Sequence, residues 1–299
     1  MKLTTWLFGL IAAFIPLTAQ AEIPVAAAAA MSPHPLMWVI KDDDSTIYLF
    51  GSIHVMKDGV PWLTPAIQQK FDSADSLWEE LPDVDDTQAM MQAARKYFVN
   101  PANNMTDGLT PDEIVRLDGL LAPYGLSSRG LMGLRKWAVG LVIMQKQIQA
   151  LGYDAQTGVD VTLAHRARAM GKPIHGFETA DQQMQFLVPK DDAEDIATLR
   201  EAIDDADETP QLLGDMLTAW EAGDEAELTK VLIDKEKAEN PTEYQRVIVA
   251  RNANWEPQIE TMLRGRGTIF ITVGTAHLIG PDSVLNMLKA HGINAQRVE

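Results

Sequence analysis

The sequence predicts an α/β fold, with a mostly parallel sheet of βαβ units flanked by helices, a helical insertion, and a site at the C-terminal strand ends. Three observations lead there. Apolar, β-branched or aromatic runs alternate with amphipathic helical stretches through most of the 299 residues. One phrase also occurs twice, first as Ile47-Tyr48-Leu49-Phe50-Gly51-Ser52-Ile53-His54 and again as Phe270-Ile271-Thr272-Val273-Gly274-Thr275-Ala276-His277. Each is an apolar run closed by Gly, then a small hydroxyl residue, an apolar residue and His. A run ended by Gly reads as a buried strand stopping in a tight turn, so His54 and His277 each stand just beyond a strand end. In open parallel sheets that edge is where ligands bind. Finally, the first phrase, a helix and the run Ser76 to Leu81 make strand, helix, strand, whose two strands run parallel. His54 and the Glu79-Glu80 doublet therefore arrive at the same edge.

Residues 1–21 read as an export leader: Lys2 supplies the positive end, Trp6 to Leu17 the apolar stretch, and Ala19-Gln20-Ala21 the small-x-small cleavage pattern. The stretch is too short for a membrane span, and no later run approaches the roughly 20 apolar residues an anchor needs. The expectation is an exported chain, periplasmic or secreted, starting at Glu22 with no stable membrane anchor. Residues 22–35, rich in Ala and Pro, read as a loose lead-in, and residues 36–299 as one domain with a helical insertion over about 191–240.

Within that domain Leu36 to Ile40 reads as a strand joined by the charged turn Lys41 to Ser45 to the first signature strand, a hairpin. Thr64-Pro65 supplies an N-cap with proline at the first helical position, and Ile67 and Phe71 share the inner face of the helix. Thr110-Pro111-Asp112-Glu113 is a capping box. Leu131 to Leu151 reads as the longest amphipathic helix, stopped by Gly152. Gly158-Val159-Asp160 precedes a helix over Val161 to Met170, and Ile174 to Glu178 is a short strand ending in a carboxylate. Residues 191 to 239 are acidic and helical, with Leu212, Leu213, Met216, Leu217 and Trp220 as a buried stripe. Thr242 with Gln245 reads as a second capping box, Tyr244, Val247, Ile248 and Arg251 share a helix face, and Pro257 kinks or ends that helix. After the second signature strand come a helix from Asp282 to His291 and a last strand, Ile293 to Val298.

The net charge of −17 argues against nucleic acid or an anionic membrane surface as partner, and leaves a metal cation, a peptide or a small-molecule substrate. With no cysteine there is no disulfide, no thiol nucleophile and no thiolate metal site. The common catalytic signatures are missing: no His-Glu-x-x-His, Gly-x-Ser-x-Gly, Walker loop or Gly-x-Gly-x-x-Gly. Two imidazoles and several carboxylates at strand ends remain, and two His with one carboxylate is the ligand set of a hydrolytic or oxygen-activating metal site. Such a metal lowers the pKa of water and polarises a carbonyl. Either Glu79 or Glu80 could supply the carboxylate, since alternation in a half-buried strand turns one of them outward. Asp160 reads equally as a helix cap or a site residue, Glu178 sits at its own strand end, and Arg251 pairs with one of these acids or with a substrate carboxylate. His165, His175, His34 and His291 read as structural or peripheral.

The phrases around Gly51 and His54, Glu80-Leu81, Gly158-Val159-Asp160, Gly176-Phe177-Glu178-Thr179, Arg251-Asn252 and Gly274 to Pro281 resemble the TraB/GumN family, in the same order and over nearly the whole mature chain. That family includes the Tiki proteins, membrane-tethered metalloproteases, and is distantly related to the ChaN-like and erythromycin-esterase folds. The resemblance implies an active centre of two Gly-x-x-His motifs and a Glu, by position His54, His277 and Glu80. It also implies manganese or cobalt as the favoured ion. Gly51, Gly274, Asp160, Glu178, Tyr244, Arg251 and Asn252 are read as supporting or substrate-binding residues. Two positions depart from the pattern: Glu79 stands where an apolar residue is usual, and Lys136 where a Pro usually precedes the Trp of the long helix. The expected function is an exported metal-dependent hydrolase of metallopeptidase type, with Glu80 as third ligand or general base. The alternative is an exported protein that binds a metal or metal complex without turnover. The substrate and the oligomeric state are open.

Overall fold

The computed structural model describes residues 33–82 and 87–298. The expected leader and most of the lead-in lie outside the described residues. Of the lead-in's last residues, Pro35 is buried and the His34 N–H bonds the Glu221 carbonyl at 2.7 Å, so this end is tied down.

The strands are β1 (Met37–Lys41), β2 (Ser45–Ser52), β3 (Met56–Lys57), β4 (Ser76–Glu79), β5 (Tyr153–Asp154), β6 (Ile174–Gly176), β7 (Gly267–Gly274) and β8 (Gln296–Arg297). Six form one sheet in the order β6-β4-β7-β2-β1-β8. The four strands β6, β4, β7 and β2 are parallel, while β1 and then β8 add antiparallel at one edge. The α/β expectation therefore holds, and β1–β2 is the predicted hairpin, its turn held by Asp42 Oδ1 accepting from the Ser45 N–H at 2.8 Å. The unit β2, helix Pro65–Ser73, β4 is parallel as expected, but β7 lies between its two strands. The two signature strands are thus direct neighbours, with Gly51 opposite Val273 and Ser52 opposite Gly274. That one-residue offset lets the two turns interlock: the Thr275 hydroxyl donates to the Ser52 carbonyl at 2.9 Å.

The core lies where the sheet meets its helices. Ile47, Leu49, Phe50, Phe270 and Ile271 are buried, and Phe71 meets Phe270 edge-on at 5.2 Å. Burying such side chains contributes about 1.5–3 kcal/mol each, which fixes the strand registers. Both Glu79 and Glu80 are buried, so the expectation that alternation turns one of them to solvent is wrong.

Other boundaries also differ. The long helix runs Lys136–Ala150, because Ser128–Leu131 forms its own 3₁₀ turn and Gly133 takes φ +85 before it. Its first N–H groups, at Lys136 and Trp137, are capped by the Asp195 carboxylate at 3.3 and 2.9 Å, a use of Lys136 that a proline could not make. Thr242 caps nothing; the chain passes from helix Pro241–Tyr244 into a π-helical stretch, Gln245–Val249, and then helix Ala250–Leu263. Pro257 lies inside that last helix without ending it, since Trp255, Glu256, Ile259 and Leu263 around it are buried. The last strand is only Gln296–Arg297.

The acidic stretch is helical as predicted, over Asp192–Asp204, Thr209–Glu221, Glu225–Leu228 and Lys235–Glu239, with a π-helical segment Thr229–Asp234. Leu213, Met216, Trp220 and Leu232 join the apolar core of the sheet. The Trp220 indole donates to the Gly51 carbonyl at 2.8 Å, tying this stretch to the first signature turn. No described helix is long and apolar enough to cross a membrane.

Candidate functional site

His54 follows β2 in a loop that three local features hold still. The short pair β3–β5 clamps the loop downstream, and the Val159 N–H donates to the Ile53 carbonyl at 3.1 Å. Gly158 packs so closely that a Cβ there would stand 2.3 Å from the His54 carbonyl oxygen. The helix Val159–Ala169 therefore starts against this loop and brings Asp160 to it. Asp160 Oδ2 lies 2.7 Å from His54 Nδ1, so Nδ1–H donates to the carboxylate and Nε2 faces the site. Asp160 therefore partners His54 rather than capping the helix, the cap position being Gly158.

His277 is set by the 3₁₀ turn Thr275–His277 that closes β7. Its Nδ1 lies 2.7 Å from Asn252 Oδ1, whose oxygen can only accept, and this fixes the same tautomer as in His54. Trp255, one helical turn beyond Arg251, packs on the His277 ring at 4.4 Å.

Glu80 stands just past β4, between the two histidines. Oε1 accepts the Gly274 N–H at 2.9 Å and lies 3.8 Å from both His54 Nε2 and His277 Nε2. Oε2 takes Arg251 Nη2 at 2.5 Å and Gln183 Nε2 at 3.1 Å. Glu178 reaches the same centre because its N–H pairs with the Glu80 carbonyl at 3.0 Å. Its carboxylate holds Arg251 through Nε and Nη2, and accepts the Trp255 indole N–H at 2.9 Å.

Of the expected site residues, the fold brings together His54, His277, Glu80, Asp160, Glu178, Arg251 and Asn252. Gly51 and Gly274 lie at the interlocked turns, where added Cβ atoms would come within 2.8 Å of Thr275 Oγ1 and 3.2 Å of Glu80 Oε1. Tyr244, expected in support, donates its hydroxyl to Asp282 Oδ2 at 2.9 Å. It acts one step away, since the Asp282 carbonyl receives Asn252 Nδ2 at 2.9 Å. Sequence reasoning missed Gln183 and Trp255. The capping box at Thr179 with Gln182 was the available signal for Gln183, because it fixes which face the next residue takes. For Trp255, the signal was its i, i+4 spacing from Arg251.

The centre is almost dry, with side-chain exposures of 8% for His54, 2% for Glu80, 1% for His277 and 0% for Arg251. Burial opposes the charge on Glu80, but Arg251 and the two histidines outweigh it and lower its pKa to about 2. Burial and the adjacent Arg251 push His277 down to about 3, so it is neutral. At His54 burial lowers the pKa, yet Asp160 and Glu80 prevail and raise it.

The donor set suits a divalent ion in kind: two imidazole Nε2 atoms and one carboxylate oxygen, with both Nδ1 atoms anchored by a hydrogen-bond acceptor. Among the described residues, the set whose donor atoms all lie within 4.8 Å of one another is Glu256, Glu260 and His291, outside this centre. In the centre itself each imidazole Nε2 lies 3.8 Å from Glu80 Oε1.

The fold and site together define an α/β protein with two Gly-x-x-His turns closed on a buried glutamate. Residues 36–297 match the TraB/PrgY/gumN family, and the chain belongs to it. It is 24% identical over 244 residues to "Uncharacterized protein YbaP" of Escherichia coli (strain K12), covering 81% of this chain and 87% of that protein. An "Uncharacterized protein" of Treponema pallidum (strain Nichols) is 21% identical over 268 residues, covering 85% and 80%. No solved structure matches the chain significantly.

Proposed function

We propose that this chain is an exported metal-dependent hydrolase of metallopeptidase type, acting on a peptide or ester carbonyl. The observation that carries the reading is the convergence of His54 Nε2, His277 Nε2 and Glu80 Oε1, each held from behind by a partner of its own. His54, His277 and Glu80 would hold the ion, with manganese or cobalt expected. A divalent ion in that position lowers the pKa of a water and polarises a carbonyl. Asp160 and Asn252 orient the two imidazoles. Gln183 and Arg251 engage Oε2, so Oε1 is the oxygen of Glu80 that faces the site. Arg251 and the two histidines keep the Glu80 carboxyl ionised against its burial, the form in which it can serve as a ligand.

A second reading, capture of a metal or metal complex without turnover, is favoured by one observation: the side chains of His54, Glu80 and His277 are at most 8% exposed, which leaves little room for a substrate beside them. Turnover of a peptide and ester panel with manganese or cobalt, by wild type and Glu80→Gln, separates the two. The hydrolase reading expects turnover that the substitution abolishes. Metal binding without turnover supports the second reading, and turnover that survives Glu80→Gln overturns the assigned centre.

A further inference from the structure

One nitrogen of the centre has two claimants. His277 Nε2, whose lone pair an ion would use, accepts a hydrogen bond from Arg251 Nη1 at 3.2 Å. Arg251 is fully buried and cannot drift from this position. Its Nε and Nη2 lie 2.9 Å from the Glu178 carboxylate oxygens, Nη2 also reaches Glu80 Oε2 at 2.5 Å, and the guanidinium packs 4.8 Å from the Trp255 ring. The guanidinium is also the positive charge that offsets two buried carboxylates, whose isolation would be strongly destabilising.

We propose that Arg251 is a positioning residue that fixes Glu80 while competing with the divalent ion for His277, so that the ion binds by displacing Nη1 from Nε2. This rests on the reading of the centre as metal-binding. Its consequence is a site of restrained affinity, in which Arg251 stabilises the metal-free protein and opposes a second cation beside it.

The test compares Mn²⁺ binding by the metal-free full-length mature chain and by the double variant Arg251→Met/Glu178→Gln. The pair of substitutions removes one positive and one negative charge together, and leaves Glu80 held by Gln183 and the Gly274 N–H. Calorimetry is expected to show Mn²⁺ binding tightened by about tenfold or more, a change of about 1.4 kcal/mol. The metal-free variant should melt lower than wild type yet gain more in Tm from Mn²⁺. A purely structural Arg251 predicts the reverse, a looser site with weaker Mn²⁺ binding; that result, or unchanged affinity, overturns the proposal. If neither protein binds Mn²⁺, the metal-centre reading fails as well, whereas binding by wild type without tightening in the variant defeats only the competition. Should the double variant not fold, nitrogen NMR of wild type with Zn²⁺ decides: both His277 Nε2 and the Arg251 guanidinium must shift, and an unmoved Arg251 signal at saturation overturns the proposal.

Discussion

His54 and Asp160 are 106 residues apart in the chain, yet the histidine Nδ1 and the carboxylate meet at 2.7 Å. Asn252 does the same for His277 at 2.7 Å. These anchors set which nitrogen of each ring faces Glu80. Replacing either, as Asp160→Ala or Asn252→Leu, should weaken Mn²⁺ binding by about 10–100-fold, the usual cost of losing such a partner. Calorimetric titration checks this, and an affinity within twofold of wild type in both would show that the anchors do not orient the rings.

Gly274 keeps open the space between the central groups. A Cβ there would stand 3.2 Å from Glu80 Oε1 and 3.3 Å from His54 Nε2. Gly274→Ala is therefore expected to fold with a Tm lowered by a few degrees while losing most of its metal affinity. Gly51→Ala differs, because its Cβ would meet Thr275 Oγ1 at 2.8 Å and press the two turns apart. Urea unfolding should show a loss of about 1–3 kcal/mol, as in other overpacked sites. Equal effects of the two alanines on stability and on binding would contradict this division.

Glu243 gives the fold a pH dependence of its own. Burial, aided by the Glu236 carboxylate, raises its pKa from 4.5 to about 8, even though Arg246 works against the shift. The native state then holds a proton that the unfolded chain releases, so this contribution is complete below about 4.5 and is lost as pH rises through about 8. Glu243→Gln stays neutral throughout. Its Tm should match wild type near pH 4.5 and exceed it increasingly up to about pH 8; a difference independent of pH would show that Glu243 is not protonated in the fold.

The strand-end histidines and the Thr110 capping box could be read from the sequence because each depends on neighbours within a few residues, and the edge shared by His54 and the Glu79-Glu80 doublet followed from the parallel strand–helix–strand rule. What escaped depends on contacts made across the chain. Nothing local places β7 between β2 and β4, and the one-residue offset of the two signature strands comes from their pairing. Glu79 and Glu80 are both buried, where simple alternation would turn one of them outward. Pro257 stays within its helix for a similar reason, since buried Trp255 and Ile259 hold a segment whose propensity is poor. Glu178, uncertain from its strand-end position, takes on meaning only once Arg251 and Trp255 arrive from helix Ala250–Leu263.

The central claim is that His54, Glu80 and His277 together hold an ion that the chain uses for hydrolysis. The most direct measurement takes protein purified without chelator or affinity metal and determines metal content and turnover together, for wild type and His54→Ala/His277→Ala, with manganese or cobalt supplied. The account predicts about one equivalent of bound metal and metal-dependent turnover in wild type, both absent from the variant. Metal or turnover retained by the double alanine variant would contradict it.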